Sequence, residues 1–428
     1  MTGALWAPHL PDGWRTGRLR WLAQIYAGGT PDKSNLEFWT DGTIPWLNSG
    51  SVNDWVITAP SAFITNEAYA SSSAQWVPAK SVVIALAGQG RTKGLAARTE
   101  MRATTNQSMA AIVPGKDLEY RFLQYWLTSN YHSVRNLAGG DLRDGLNLQH
   151  IASIECPLPP LGEQRRIADF LDAETAQIDT LIGEQERFIE LLRERRDAAI
   201  SDSVIGGSRS ISDSDQLSKA LPAGWTVMPF LRCMTGQVDY RGATPTKTAE
   251  GVQLITARNV KQGWIDYRSS QEFVSRDDYG QIMHRGLPHV GDLLFTMEAP
   301  LGNVALVDRE DIALAQRIVK FEVNRSIADP EFLCFAAQGR WFQSQLAVRA
   351  TGSTALGIKA SKLPELRIAL PGLDEQVRIS AHLDELRSHI EVLVAEAEHN
   401  IALSKERRAA LITAAVIGQI DVSTGRVA

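Results

Sequence analysis

The stretch Leu158–Gly207 reads LPPLGEQRRIADFLDAETAQIDTLIGEQERFIELLRERRDAAISDSVIGG. Pro159 and Pro160 set an extended entry, because proline fixes φ and cannot sit inside the helix beyond them. From Glu163 to Ile200 there is no proline and one glycine, Gly183. Apolar residues at Ile167, Leu171, Ile178, Leu181, Phe188, Leu192 and Ala199 fall three and four apart once Glu174, Gln185 and Arg195 are included. This seven-residue period predicts a coiled-coil seam. The helix would run roughly 55 Å at 1.5 Å per residue. Glu174 and Gln185 are polar seam positions of the kind that fix register.

The pattern returns at the C-terminus. Pro371–Gly418 reads PGLDEQVRISAHLDELRSHIEVLVAEAEHNIALSKERRAALITAAVIG. At an offset of 212, Glu163-Gln164 falls on Glu375-Gln376, Arg195-Arg196 on Arg407-Arg408, and Val204-Ile205-Gly206 on Val416-Ile417-Gly418. The seam carries over as Ile379, Leu383, Ile390, Leu393 and Leu411. Two long helices with matching seams in one chain are expected to pack antiparallel.

The 428 residues allow two or more domains, and 44% hydrophobic with 22% charged content is that of an ordinary soluble globular chain. No apolar run approaches the ~18–20 residues needed to span a bilayer. The N-terminus MTGALWAPHL lacks a basic segment followed by an apolar one, so no secretory signal is expected. Cys156, Cys233 and Cys334 lie far apart, as buried reduced thiols would in a cytoplasmic protein. Residues 161–220 hold 8 basic and 13 acidic side chains and 373–428 hold 6 and 9, so the excess acidity sits on the helical segments. The two remaining blocks are near neutral, short of the pI above ~9 that would announce nucleic acid unaided.

Those blocks repeat each other. LPDGW (Leu10–Trp14) and LPAGW (Leu221–Trp225) each predict a turn whose tryptophan anchors a first strand. A Thr-Pro turn comes next, GGTP at Gly28–Pro31 and GATP at Gly242–Pro245. IPWLNSGSV (Ile44–Val52) parallels VQLITARNV (Val252–Val260), each an apolar strand delivering small and polar side chains at its end. KSVVIALAGQGRTKGLAAR (Lys80–Arg98) and GDLLFTMEAPLGNVALV (Gly291–Val307) predict hairpins with glycine in the loop. TTNQSMAAIVPG (Thr104–Gly115) aligns with LAQRIVKFEVN (Leu314–Asn324), which matches Gln107 to Gln316. Helices are predicted over Glu119–Asn130 and Pro330–Leu346, then glycine turns at Ala138–Asp141 and Ala350–Ser353 and a last strand. The fold class is therefore α+β, with two pseudo-repeated blocks of mixed α/β and twisted sheet joined by two long antiparallel coiled-coil helices. The boundaries are 1–160, 161–220 (central helix and linker), 221–370 and 371–428.

Carried by PLPPLGEQRRIADFLD (Pro157–Asp172), LLRERRDAAISDSVIGG (Leu191–Gly207) and their second copies, the chain resembles the specificity (S) subunit of type I restriction–modification enzymes. The resemblance covers essentially the whole chain, although LPGLDEQ replaces the double-proline entry in the second helix. It implies two target recognition domains, each reading one half of a bipartite site in double-stranded DNA, with the helices as ruler and as docking site for two methyltransferase (M) subunits. S-adenosylmethionine, ATP and magnesium would then belong to partners, the last two with translocating restriction (R) subunits, and this chain would hold no cofactor or metal.

The side chains are compatible with that role. Arginine or lysine pairs with guanine in the major groove, and asparagine or glutamine with adenine. Gln89, Arg91 and Lys93 lie in a glycine-flanked loop, and Asn48, Ser49, Ser51, Gln107, Thr256, Arg258, Asn259, Gln316 and Arg317 sit at strand ends. The plain alternative for each is a solvated loop residue, and for Gln107 and Gln316 an amide bracing a loop. Gly139, Gly140, Gly352 and Ser353 would hold phosphate on backbone amides or simply turn the chain.

Signatures of catalysis are missing from the sequence. There is no Asp/Glu-x-Lys tripeptide, no Asn/Asp-Pro-Pro-aromatic motif, and GQGRTKG (Gly88–Gly94) lacks the ending of a P-loop. His284/His289 and His382/His389 are the closest histidine pairs, and the second pair sits beside the seam rather than as metal ligands. A non-catalytic chain is expected. Two other classes stay open: a coiled-coil adapter whose blocks bind protein, separable by salt-dependent retention on duplex DNA, and the recognition half of a methyltransferase or nuclease acting alone. Replacing residues 1–160 by another such block should change only one half of the recognised sequence, as methylation mapping would show. A change in both halves would refute independent blocks.

Overall fold

The computed structural model describes residues 10–88, 90–138, 144–205, 221–240, 245–352, 356–422 and 426–427. The chain divides into two compact units, Met1–Gln185 with His399–Ala428, and Glu186–Glu398. Each takes in one of the repeated blocks and a part of both long helices, so the units cut across the linear order of blocks and helices. Among the described residues no helix is long and apolar enough to cross a membrane.

In the first unit a five-stranded sheet runs in the order Ala23–Ala27, Met109–Pro114, Ser81–Ala85, Ala96–Thr99, Val56–Ile57. Its middle strand, SVVIA, is buried along its whole length, as a continuous apolar run in a core strand should be. A second sheet orders Ala62–Ile64, Ile44–Leu47, Ala103–Thr105 and Trp76–Val77. The helix Tyr120–Ser129 buries Phe122, Tyr125 and Trp126 and is capped by the Glu119 carboxylate, which accepts from Phe122 N.

The second unit repeats this plan. One sheet orders Met234–Asp239, Ile318–Val323, Leu293–Thr296 and Val304–Leu306, and another Lys247–Thr248, Phe273–Val274, Val252–Ile255 and Ile312–Leu314. Asp329 caps the helix Pro330–Gln338 as Glu119 does in the first copy. The single helix expected over 330–346 is in fact two, Pro330–Gln338 and Arg340–Arg349. The break falls at Gly339, where a Cβ would lie 2.7 Å from Val204 Cγ2, and where Arg340 N donates to Ser201 Oγ at 3.1 Å. The chain turns there to admit the end of the first long helix.

Both opening turns form as predicted. Gly13 and Gly224 adopt φ of 86° and 87°, and Trp14 and Trp225 donate their N–H to Pro11 O and Pro222 O. Such φ values need glycine. Trp14 and Trp225 then pack on the cores of their respective units. All three cysteines are free and buried, and burial pushes the Cys233 thiol up to about 11.

The long helices span Leu161–Ser203 and Leu373–Val416. Each is fixed at its first turn by a buried glutamine. Gln164 accepts from Glu119 N (2.9 Å) and donates to Asp117 O and Pro159 O (both 2.9 Å). Gln376 accepts from Asp329 N (2.9 Å) and donates to Ile327 O (3.1 Å) and Pro371 O (2.9 Å). Pairing is antiparallel within each unit. In the first, Ile167 and Leu171 share a core with Ile412 and Ala415, and Arg408 pairs with Asp179 at 2.9 Å. In the second, Ile200 and Val204 share a core with Leu383, and Arg193 lies 3.4 Å from Glu398.

The seam needs correction at alternate positions. Leu171, Ile178 and Leu192 are buried, as are Ile167, Leu383 and Ile390, and Ile379 is half-buried. Leu181, Phe188 and Leu393, however, are 53%, 42% and 40% exposed. The buried line runs instead through Thr175, Ile182 and Ile189, and past Leu393 through half-buried Val394. Adjacent apolar residues (Leu181-Ile182, Phe188-Ile189, Leu393-Val394) fit a heptad about equally well, and only packing decides which one turns inward.

On the first helix Asp172 receives Arg98 (2.8 Å), Arg121 (3.0 Å) and the Tyr125 hydroxyl (2.8 Å). Burial alone would raise this carboxyl, but the three donors outweigh it and hold it below its usual range. Gln164→Leu would strand one N–H and two carbonyls, at about 1–3 kcal/mol for each buried group. We expect urea unfolding to show a loss of roughly 2–4 kcal/mol, matched by Gln376→Leu. A loss under about 0.5 kcal/mol, the size of an ordinary surface change, would mean that the amide bonds are dispensable.

Candidate functional site

Parallel strand pairing creates one polar edge in each unit. In the first unit Trp46 and Leu47 pair in parallel with Thr104 and Thr105, so both strands end on the same side. Backbone bonds join the loops beyond the strand ends: Asn106 N to Leu47 O (3.0 Å), Leu86 N to Ser108 O (2.8 Å) and Gly29 N to Thr105 O (2.8 Å). The segments around 28–31, 48–53 and 106–108 and the strand end at Leu86 are therefore held together. Gly28 permits it, since a Cβ there would lie 1.9 Å from Thr105 O.

The second unit has the same scaffold. Leu254 and Ile255 pair in parallel with Ala313 and Leu314. Ala315 N donates to Ile255 O (2.9 Å) and Met297 N to Arg317 O (3.0 Å). These bonds equate Asn48 with Thr256, Gly50 with Arg258, Gln107 with Gln316, Ser108 with Arg317 and Ala87 with Glu298. The backbone is repeated while the side chains differ.

The candidate residues separate into two groups. Arg91 is exposed, and Tyr131 fixes its carbonyl with a 2.7 Å hydrogen bond. Gln107 is exposed and hydrogen-bonded to Thr30, which ties the Thr-Pro turn to this edge. Asn48 is exposed, with its Oδ1 accepting from Gly50 N, and Ser49 is half-buried. Thr256, Arg258, Gln316 and Arg317 together line a cleft of about 190 Å³, with Arg258 and Arg317 exposed. Lys247 and Glu272, an ion pair of 2.8 Å, complete its wall.

Three residues turn inward. Lys93 is 2% exposed and its Nζ donates to Asp144 O at 2.8 Å. Asn259 is wholly buried: its Oδ1 accepts from the Thr256 N–H and hydroxyl, and its Nδ2 donates to Asp266 O and Ser270 O. Ser51 is buried against the Ser61 hydroxyl at 2.6 Å. These three brace loops in this structure and do not line the exposed edge. Gln89, Ser353, Gly139 and Gly140 lie outside the described residues.

The structure adds residues that the sequence reading did not select. A second cavity, of about 380 Å³, joins Tyr240, His284 and Arg285 to Gln316. Burial pushes the Tyr240 phenol well up, and its hydroxyl donates to Gly286 O at 2.8 Å. Glu298 falls on the edge next to Arg317 through the Met297 bond. Matching the two hairpin loops residue by residue against Ala87 is the signal that would have found it.

Residues 11–190 and 247–397 match a family described as the type I restriction modification DNA specificity domain. The chain belongs to this family. It is 29% identical over 176 residues to the EcoR124I/EcoR124II specificity subunit of Escherichia coli, covering 39% of this chain and 42% of that protein. With the EcoKI specificity subunit of E. coli K12 it shares 19% over 429 residues, covering 97% and 90%. The chain thus spans under half the length of the first relative and most of the second. A chain from a type I R-M system, solved in work on complex assembly and conformational transition, superposes with a TM-score of 0.72 at 17% identity, covering 95% and 98%. The HsdS subunit from Thermoanaerobacter tengcongensis superposes with a TM-score of 0.51 at 16%, covering 97% and 99%. At these identities the shared property is the fold. On the reading that this edge meets DNA with Arg91 at a base, Arg91→Ala should cost about 1–3 kcal/mol in affinity and relax one position of the recognised sequence. Equal weakening on all sequences would instead put Arg91 on a phosphate.

Proposed function

We propose that the chain is the DNA-specificity subunit of a type I restriction–modification system, acting in the cytoplasm, with one edge reading each half of a bipartite site. The observation that carries this is the duplicated edge: one hydrogen-bonded scaffold carries Asn48, Ser49 and Gln107 in one copy, and Thr256, Arg258, Gln316 and Arg317 in the other. Two scaffolds that share this strand pairing but carry unlike side chains suit two unlike half-sites. The family membership and the names of the relatives favour the same reading.

Catalysis in this proposal lies elsewhere. Two methyltransferase (M) subunits would dock on the helices and bring S-adenosylmethionine, and restriction (R) subunits would bring ATP and magnesium. The exposed apolar residues along the helices, Leu181, Phe188, Leu191, Val392 and Leu393, suit such docking. This chain's own part is to place the partners by choosing the sequence.

The spacer helices would set the gap between half-sites. Half-sites read from one side of B-DNA lie about one helical turn, roughly 34–36 Å, apart. Adding four residues after Glu186 lengthens the helix by about 6 Å and turns its downstream face by about 40°. At about 3.4 Å per base pair, the preferred gap should grow by one or two base pairs while both half-sites stay unchanged, as mapped by adenine methylation. An unchanged gap with full activity would leave docking as the only role of the helices.

A further inference from the structure

Glu298 stands on the second edge, in the segment that leaves the buried strand Leu293–Thr296. Its neighbours hold it in place. Met297 N donates to Arg317 O and Ile358 N to Met297 O, both at 3.0 Å, and Glu298 itself bridges Gly357. A Cβ on Gly357 would lie 3.3 Å from Glu298 Cγ and 3.4 Å from its Cβ, so the Gly357 backbone packs on the stem of the glutamate. Ala299 then takes a left-handed φ of 47° and lines the arginine-bearing cleft. Among the described residues the half-buried Glu298 carboxylate has no hydrogen-bond or ion-pair partner, and neither Arg258 nor Arg317 pairs with it.

A carboxylate on a DNA-facing edge gains nothing from the backbone, because phosphates place one negative charge about every 1.7 Å of duplex axis. What it can accept in the major groove is the amino group of cytosine, while arginine addresses guanine O6 and N7. We propose that Glu298 is a specificity-determining residue that accepts a hydrogen bond from the 4-amino group of a cytosine, with Arg258 and Arg317, in the cleft that Ala299 lines, set for guanine. The counterpart in the first unit is Ala87, which has no acceptor. The requirement therefore belongs to one half-site only. This rests on the chain being a DNA reader and adds which base pair one of its halves demands.

The test uses the full chain, co-expressed with the methyltransferase subunits of its system, with methylated adenines mapped in host DNA. The half-site assigned to the second unit by exchange of residues 221–370 should contain a G·C pair. Glu298→Ala should accept any pair at that position, reducing discrimination roughly ten- to hundredfold, and leave the other half-site intact. Glu298→Gln, of equal size, should move the position towards adenine, and it carries the test if the alanine variant melts early. The proposal is overturned by a second half-site without G·C, by an unaltered sequence in both variants, or by tighter binding to all sequences alike. The last result would place the carboxylate against phosphates. A wild-type complex that methylates no defined sequence would remove the DNA-reader reading itself, and that is seen before any variant is made.

Discussion

A single buried amide decides where each repeated block meets its long helix. Gln164 and Gln376 each accept one backbone N–H and donate to two backbone carbonyls, tying the first helical turn to the segment just before the helix Tyr120–Ser129 or Pro330–Gln338. A neutral amide suits the place, because it offers donors and an acceptor without the desolvation cost of a buried charge. Two of its three partners differ in identity between copies, Asp117 and Glu119 in one, Ile327 and Asp329 in the other, and the third is a proline in both. Only backbone atoms are held, so the side chains around the lock are free to diverge.

Divergence around a fixed backbone reaches the core as well. In the second unit Lys320, on the strand Ile318–Val323, is fully buried and pairs with Asp292 at 2.7 Å and Glu322 at 3.0 Å. The strand register places Ala111 and Ser81 there in the first copy. Removing one partner of such a buried pair typically costs about 3–5 kcal/mol, whereas its replacement as a unit is tolerated. The first copy carries that replacement, with the Ser81 hydroxyl left without a partner. The two cores have thus separated chemically while keeping the pairing that delivers the edges.

At the edge, burial separates residues that look alike in sequence. Arg91 and Lys93 are two positions apart in one loop, yet the first is exposed and the second closes a bond to Asp144 O. Thr256, Arg258 and Asn259 share one turn, and Asn259 alone holds it together from inside. A polar residue in a loop either satisfies the loop's own backbone or faces outward, and composition does not distinguish the two.

The amino-acid sequence by itself determined the repeat, the α+β class, the two long helices, the Trp14 and Trp225 turns and the matching of Gln107 with Gln316. These come from period, proline and glycine placement and a constant offset, which are local or one-dimensional properties. Tertiary structure alone decided that Ile182 and Ile189 turn inward beside exposed Leu181 and Phe188, that Gly339 splits a helix against Val204, and that Glu298 comes to stand beside Arg317. Each of those depends on which surface lies opposite. Neighbouring residues of equal hydrophobicity or polarity carry no record of it until the chain has packed.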